Sequence, residues 1–188
     1  MIFLPSLKIG ILNAWIFMIW PILSPFIFNF LIKEKKISKK LRTSVKMKFE
    51  KQFNIISTSG IIFGFIYSIF LPLKLDWIWL VIGIIIFLIG FIIDLSAIYT
   101  LKTAKPDEPF TKGPYRYSRH PIYLALLLII ISISIMTLSW IFLSIVVIAI
   151  IHALLAIPAE ENYCLKKYGK AYQNYKEKTP KLIGFPKK

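Results

Sequence analysis

The stretch from Trp77 to Thr100, WIWLVIGIIIFLIGFIIDLSAIYT, carries one charged residue, Asp94, in 24 positions. A run this apolar and this long restricts its backbone severely. In hydrocarbon every N–H and C=O must find a partner within the segment, which selects a helix. About 20 such residues, rising about 1.5 Å each, cross a bilayer core of ~30 Å. Four further runs have the same character, at roughly 9–32, 53–73, 121–136 and 139–158, with 77–100 as the third of five. The expected fold is therefore an all-α integral membrane protein with about five transmembrane helices. It forms a single membrane-embedded domain over 1–188, because no long Gly-, Ser- or Pro-rich linker divides the chain.

Local signals refine this outline. Pro21 and Pro25 inside the first run predict kinks. Gly60-Ile-Ile-Phe-Gly64 in the second matches the small-xxx-small pattern of close helix packing, although such matches also arise by chance. Lys74-Leu75-Asp76 leaves room only for a tight turn between the second and third helices. Pro121 and Pro158 read as start and stop of a C-terminal helical hairpin, whose first arm, at about 24 Å, is shorter than the bilayer core. Asp94, near the end of the third helix, is expected in reach of water, or else paired with a polar group.

Charge supplies an orientation. The chain carries 24 Lys and Arg against 9 Asp and Glu, a formal net charge of +15, on a 57% hydrophobic background. Nine of the basic residues lie in Lys33–Lys51, five in Lys102–Arg119 and eight in Lys166–Lys188, leaving Lys8 and Lys74. This asymmetry does not suit nucleic-acid binding. By the positive-inside rule it puts the three basic segments and the C-terminus in the cytoplasm, with the N-terminus outside, in what reads as a plasma membrane. The basic loops are then placed to touch anionic lipid head groups. Cys164 is the sole cysteine, so an internal disulfide and Cys-based zinc spacings are excluded, and no metal site is expected.

Chemistry concentrates at Gly113–Tyr123, GPYRYSRHPIY, at the threshold of the fourth helix. Pro121 at a first helical position leaves Ser118–His120 beside unpaired backbone N–H groups, which attract anions. Arg119 adds a fork suited to a carboxylate or phosphate, and His120 a ring that titrates near neutrality. Tyr115, Tyr117 and Tyr123 offer flat faces and hydroxyls. Glu160 and Glu161 follow Pro158 at the far end of the hairpin, whose geometry returns them to the same side as Arg119. They suit an amino group, a cation or ribose hydroxyls. A plainer reading makes Arg119–Glu161 an ion pair that only tethers the hairpin. Tyr168, Tyr172 and Tyr175 are spaced as one helix face, for packing and for closing a pocket from below.

These residues together resemble a known superfamily. GPYRYSRHPIY, a helical hairpin, the Glu160-Glu161 pair and KYGKAYQNYKEKTP are similar to the isoprenylcysteine carboxyl methyltransferases and phospholipid methyltransferases, over about residues 111–186. The resemblance implies an S-adenosylmethionine-dependent methyltransferase of the membrane, acting at the cytoplasmic face, with a cofactor pocket formed by the C-terminal hairpin and tail. It implies cofactor binding by Gly113, Pro114, Tyr115, Tyr117, His120, Pro121, Tyr123, Glu160 and Glu161. Arg119 and Glu161 become the catalytic candidates, one orienting an acceptor and the other taking its proton. No GxGxxG signature is present, in keeping with a pocket that is not of the Rossmann type. The acceptor would be a lipophilic small molecule or lipid, either an isoprenylcysteine-like carboxyl or thiol or a phospholipid amine.

One departure concerns that acceptor. Several carboxyl methyltransferases carry an arginine shortly before the paired glutamates, where this chain has His152-Ala-Leu-Leu-Ala-Ile-Pro-Ala159. His152 reads as a packing residue or as a polar substitute. Two other readings stand beside the methyltransferase. Cys164-Leu-Lys-Lys-Tyr168-Gly169 echoes the NADPH-dependent membrane sterol reductases, and the basic loops alone would suit a non-catalytic membrane adaptor. The sequence carries no sign of oligomeric state.

Overall fold

A computed structural model describes residues 7–33, 50–74, 76–104 and 108–186. Among these residues it contains six α-helices and no strand: α1 (Trp15–Lys33), α2 (Glu50–Ile69), α3 (Trp77–Thr103), α4 (Pro121–Thr137), α5 (Trp140–Tyr168) and α6 (Lys170–Lys178). A 3-10 turn, Gly113–Arg116, precedes α4. The basic stretch Lys33–Lys51 falls mostly outside the described residues.

Two helices, α3 and α5, are long and apolar enough to cross a membrane, and only 17% and 22% of their apolar windows are buried inside the protein. A core helix of a soluble protein would be mostly covered, so the exposed Ile, Leu, Val and Trp side chains on both suit a hydrocarbon surround. The apolar parts of the other three bundle helices, Trp15–Leu31, Thr58–Ile69 and Pro121–Thr137, are shorter.

The helix boundaries depart from expectation at two places. The first helix begins at Trp15 rather than near residue 9, because Asn13 ties the preceding chain to the end of α2. Its Nδ2 donates to the carbonyls of Lys8 at 2.6 Å and Ile69 at 2.7 Å. Ala14 N donates to Leu71 O at 3.0 Å. Both proline positions in α1, Pro21 and Pro25, are accommodated within one continuous helix. The second departure matters more. Pro158 does not end the fifth helix, which runs through it for ten further residues to Tyr168. An interior proline costs about 3 kcal/mol. Here Ile157 before it and Glu161 after it are both buried, so packing on either side holds the helical path.

Helix α3 packs intimately on α4 through glycines that the sequence reading passed over. A Cβ at Gly90 would lie 3.0 Å from Ala125 O and 3.0 Å from Ile129 Cγ1, and one at Gly83 would collide with Met136. The predicted Gly60/Gly64 surface is half realised. Gly64 sits against Met18 and Ile145, whereas nothing lies within 4 Å of a Cβ built at Gly60. Behind these contacts a core of Met18, Leu71, Ile129, Ile133, Met136, Phe142 and Val146 joins α1, α2, α4 and α5.

The hairpin turns as expected, within two residues. Leu138 adopts a left-handed conformation (φ 49°) and Ser139 caps α5, its Oγ accepting from Phe142 N at 3.4 Å. At the opposite end, Ala97 and Leu101 of α3 pack with Tyr115, seating the 3-10 turn on the bundle. Gly113 reaches this seat with φ +57°, where a Cβ would approach Thr100 Oγ1 to 2.5 Å. Asp94 is not open to water. It is 5% exposed, and its Oδ2 accepts from Ser24 Oγ at 2.6 Å and Trp20 Nε1 at 3.0 Å, which fastens α3 to α1.

Candidate functional site

The start of α4 and the last three turns of α5 converge on one side of the bundle, with α6 lying across them. Pro121 opens α4 with His120 as its N-cap residue. Ser118 turns the chain into this cap, its Oγ accepting from His120 N at 3.1 Å. Because α5 continues past Pro158, Glu160 and Glu161 stand on a helix as neighbours, about 100° apart around its axis. That angle sends them into different surroundings.

Glu161 points inward and is 4% exposed. Its Oε1 lies 3.0 Å from Arg119 Nη2 and its Oε2 2.9 Å from Lys176 Nζ. Arg119 Nη1 continues the chain of contacts by donating to Lys176 O at 2.9 Å. The tethering pair suggested by the sequence is therefore present, and Lys176, which the sequence reading did not single out, completes it from α6. Glu160 is only half-covered. It accepts from Tyr123 Oη at 2.7 Å. His120 bridges the two carboxylates, with Nδ1 3.4 Å from Glu160 and Nε2 3.4 Å from Glu161.

A cavity of about 380 Å³ opens beside this cluster. Tyr115, Arg119, His120, Pro121, Tyr123 and Glu160 line it among the expected site residues, and Tyr168 at the end of α5 with Tyr172 and Tyr175 of α6 closes it. The three tyrosines do not share one helix face. Gly169, at φ 53°, breaks the helix between Tyr168 and the other two, so α6 folds back as a cover. Gly113, Pro114, Tyr117 and Glu161 do not line the cavity. Gly113 and Pro114 shape the turn beneath Tyr115, Tyr117 is 51% exposed, and Glu161 stands behind Arg119.

Other lining residues come from places that sequence reasoning missed. Phe28, Leu101, Pro109 and Phe110 form the wall supplied by α1, α3 and the segment after it. Tyr163 and Cys164 lie three and four residues beyond Glu160, on the same helical face, a relation hidden by reading Pro158 as a stop.

The cover is fastened by backbone groups. Tyr175 Oη donates to Tyr115 O at 2.6 Å, and Arg119 N donates to Pro180 O at 3.0 Å. Burial pushes the phenols of Tyr115 and Tyr175 above the usual tyrosine range, which keeps Tyr175 protonated as a donor. Within the cluster, Arg119 Nε is buried and has no hydrogen-bond partner among the described residues. The arrangement thus offers an aromatic chamber, a guanidinium at its wall and a partly open carboxylate. It can hold a polar molecule with a flat ring, an anionic end and a cationic centre.

Comparison with known proteins bears on the same region. The phospholipid methyltransferase family matches residues 78–171, half of the chain. A methanethiol S-methyltransferase from Crocosphaera subtropica is 32% identical over 112 residues, which cover 57% of this chain. The matched region spans 43% of that relative's length.

Proposed function

The chain belongs to the phospholipid methyltransferase family, and from that premise we propose that it is a membrane methyltransferase that transfers a methyl group from S-adenosylmethionine to a lipophilic nucleophile. The 380 Å³ chamber between the hairpin ends and α6 carries this reading. Its volume suits a ligand of cofactor size. The Arg119 guanidinium at the wall suits a carboxylate, the tyrosine faces suit a flat base, and Glu160 suits a cationic or hydroxyl group. Neither the nicotinamide-dependent reductase nor the adaptor is supported by the family match.

Bound there, S-adenosylmethionine supplies an electrophilic methyl on a sulfonium sulfur, so the protein's task is alignment and exclusion of water. We assign Arg119, His120 and the tyrosines of the cover to holding the donor. Glu161 we assign to positioning rather than proton transfer, since Arg119 and Lys176 already occupy its carboxylate. Glu160, with Tyr123 donating to it, is the carboxylate placed to accept the proton that an acceptor loses on methylation. Gly113, Pro114 and Tyr117 serve the site by shaping the turn. The relative named as a methanethiol S-methyltransferase favours sulfur as the acceptor atom.

Calorimetry on detergent-purified protein tests the donor site. S-adenosylmethionine and S-adenosylhomocysteine are expected to bind in the micromolar range, about tenfold more weakly in Tyr172→Ala, while NADPH gives no heat. Binding of NADPH alone, by folded protein, would overturn the reading.

A further inference from the structure

Asp94 is the one charged residue between Trp77 and Thr100, and the site described above makes no use of it. A carboxylate among apolar side chains at this depth is costly, and it persists where it has partners and a task. Its partners stand on α1. The carboxylate takes Ser24 Oγ at 2.6 Å and Trp20 Nε1 at 3.0 Å on the same oxygen, and the Trp20 ring also meets Phe91 of α3 edge-on, with centroids 4.4 Å apart. This grip falls where α1 is weakest. Pro21 and Pro25 have no N–H, so the carbonyls of Phe17 and Pro21 lose their usual helical donors on either side of it.

Trp20, Ser24 and Phe28 are spaced four apart and share one face of α1, so fixing the first two sets the direction of the third. Phe28 packs against the cluster of Ala97, Leu101 and Tyr115, and with Leu101 it bounds the 380 Å³ chamber. Asp94 precedes Ala97 and Leu101 by three and seven residues, on the same side of α3. We infer that Asp94 is a positioning residue of the donor chamber: by holding Trp20 and Ser24 it sets the rotation of α1 and keeps Phe28 at the chamber wall. The inference rests on the methyltransferase reading. Apolar contacts alone define that rotation poorly, because lipid tails are as apolar as the side chains that α1 would turn toward them. Two donors one turn apart on a single carboxylate oxygen define it well, since a hydrogen bond weakens steeply with angle.

The test is a double-mutant cycle on detergent-purified protein, with S-adenosylhomocysteine affinity read by calorimetry and folding read by the thermal midpoint. Asp94→Leu removes both bonds with a side chain that suits hydrocarbon, and Asp94→Asn keeps an acceptor oxygen. Phe28→Ala removes the wall directly. Asp94→Leu and Phe28→Ala are each expected to weaken binding about tenfold, the double variant also about tenfold rather than hundredfold, and Asp94→Asn less than threefold. Should Asp94→Leu fail to fold, the paired change Trp20→Phe with Ser24→Ala removes the same bonds from the α1 side and is expected to give the same loss. A lowered midpoint with unchanged affinity would mean that Asp94 only holds the fold, and would overturn the inference. So would a hundredfold loss in the double variant, or an Asn variant as weak as the Leu variant. Wild-type protein that is folded yet binds no S-adenosylhomocysteine would instead remove the methyltransferase reading beneath it.

Discussion

Glu160 and Glu161 are the same residue side by side, and their neighbours separate them. Glu161 is buried against two cations, so its removal leaves Arg119 and Lys176 without their counter-charge. Breaking a buried pair in this way costs about 3–5 kcal/mol. Glu161→Ala is therefore expected to lower the thermal midpoint strongly. Glu160→Gln, at a half-covered position, should leave the midpoint nearly unchanged and reduce turnover at least tenfold. Thermal unfolding and turnover measured on the two variants check this division. Similar midpoints would sink it. The sequence placed both glutamates beside Arg119, because a hairpin returns its ends to one side. It could not rank them, since ranking depends on Lys176, 15 residues on in a separate helix.

At the scale of elements, α3 and α4 approach closely, and the approach depends on the absence of side chains at Gly83 and Gly90. Gly90→Leu must displace the Ala125 carbonyl region or Ile129, an overpacking that costs about 1–3 kcal/mol. Gly60→Ala is expected to be neutral or to stabilise by about 0.5–1 kcal/mol, through helix propensity alone. Denaturation of both variants in one detergent distinguishes them, and equal effects would contradict the packing described. The GxxxG pattern directed attention to α2, yet a pair of glycines seven apart in α3 carries the contact. Spacing marks a helix face, whereas the neighbour that meets it is set by how all the helices pack. Pro158 teaches the same lesson. Its cost is local, but buried Ile157 and the ion-paired Glu161 decide where α5 ends.

For the whole molecule, the cavity, α6 and the basic tail share one end of the bundle, and the Lys74 turn sits at the other, where Lys74 N donates to Met136 O at 2.8 Å. We propose from the charge asymmetry that the cavity end faces the cytoplasm. In a Cys164→Ser background, cysteine at position 74 should react with an impermeant maleimide added to intact cells. Cysteine at position 178 should react only after the membrane is opened. Labelling of both from outside would refute the orientation.

The sequence by itself determined the helical class, the approximate extents of the apolar runs, the tight C-terminal hairpin and the gathering of Arg119, His120 and the two glutamates at one end. These follow from short-range physics: hydrocarbon demands internally paired backbone, and a two-residue turn makes its flanking helices antiparallel. Tertiary structure alone decided the continuation of α5 through Pro158, the tie from Asp94 to α1 and the division of labour between Glu160 and Glu161. It also set which distant residues, Phe28 and Phe110 among them, wall the chamber. Each depends on which distant side chains share a buried volume, and burial is a property of the assembled bundle.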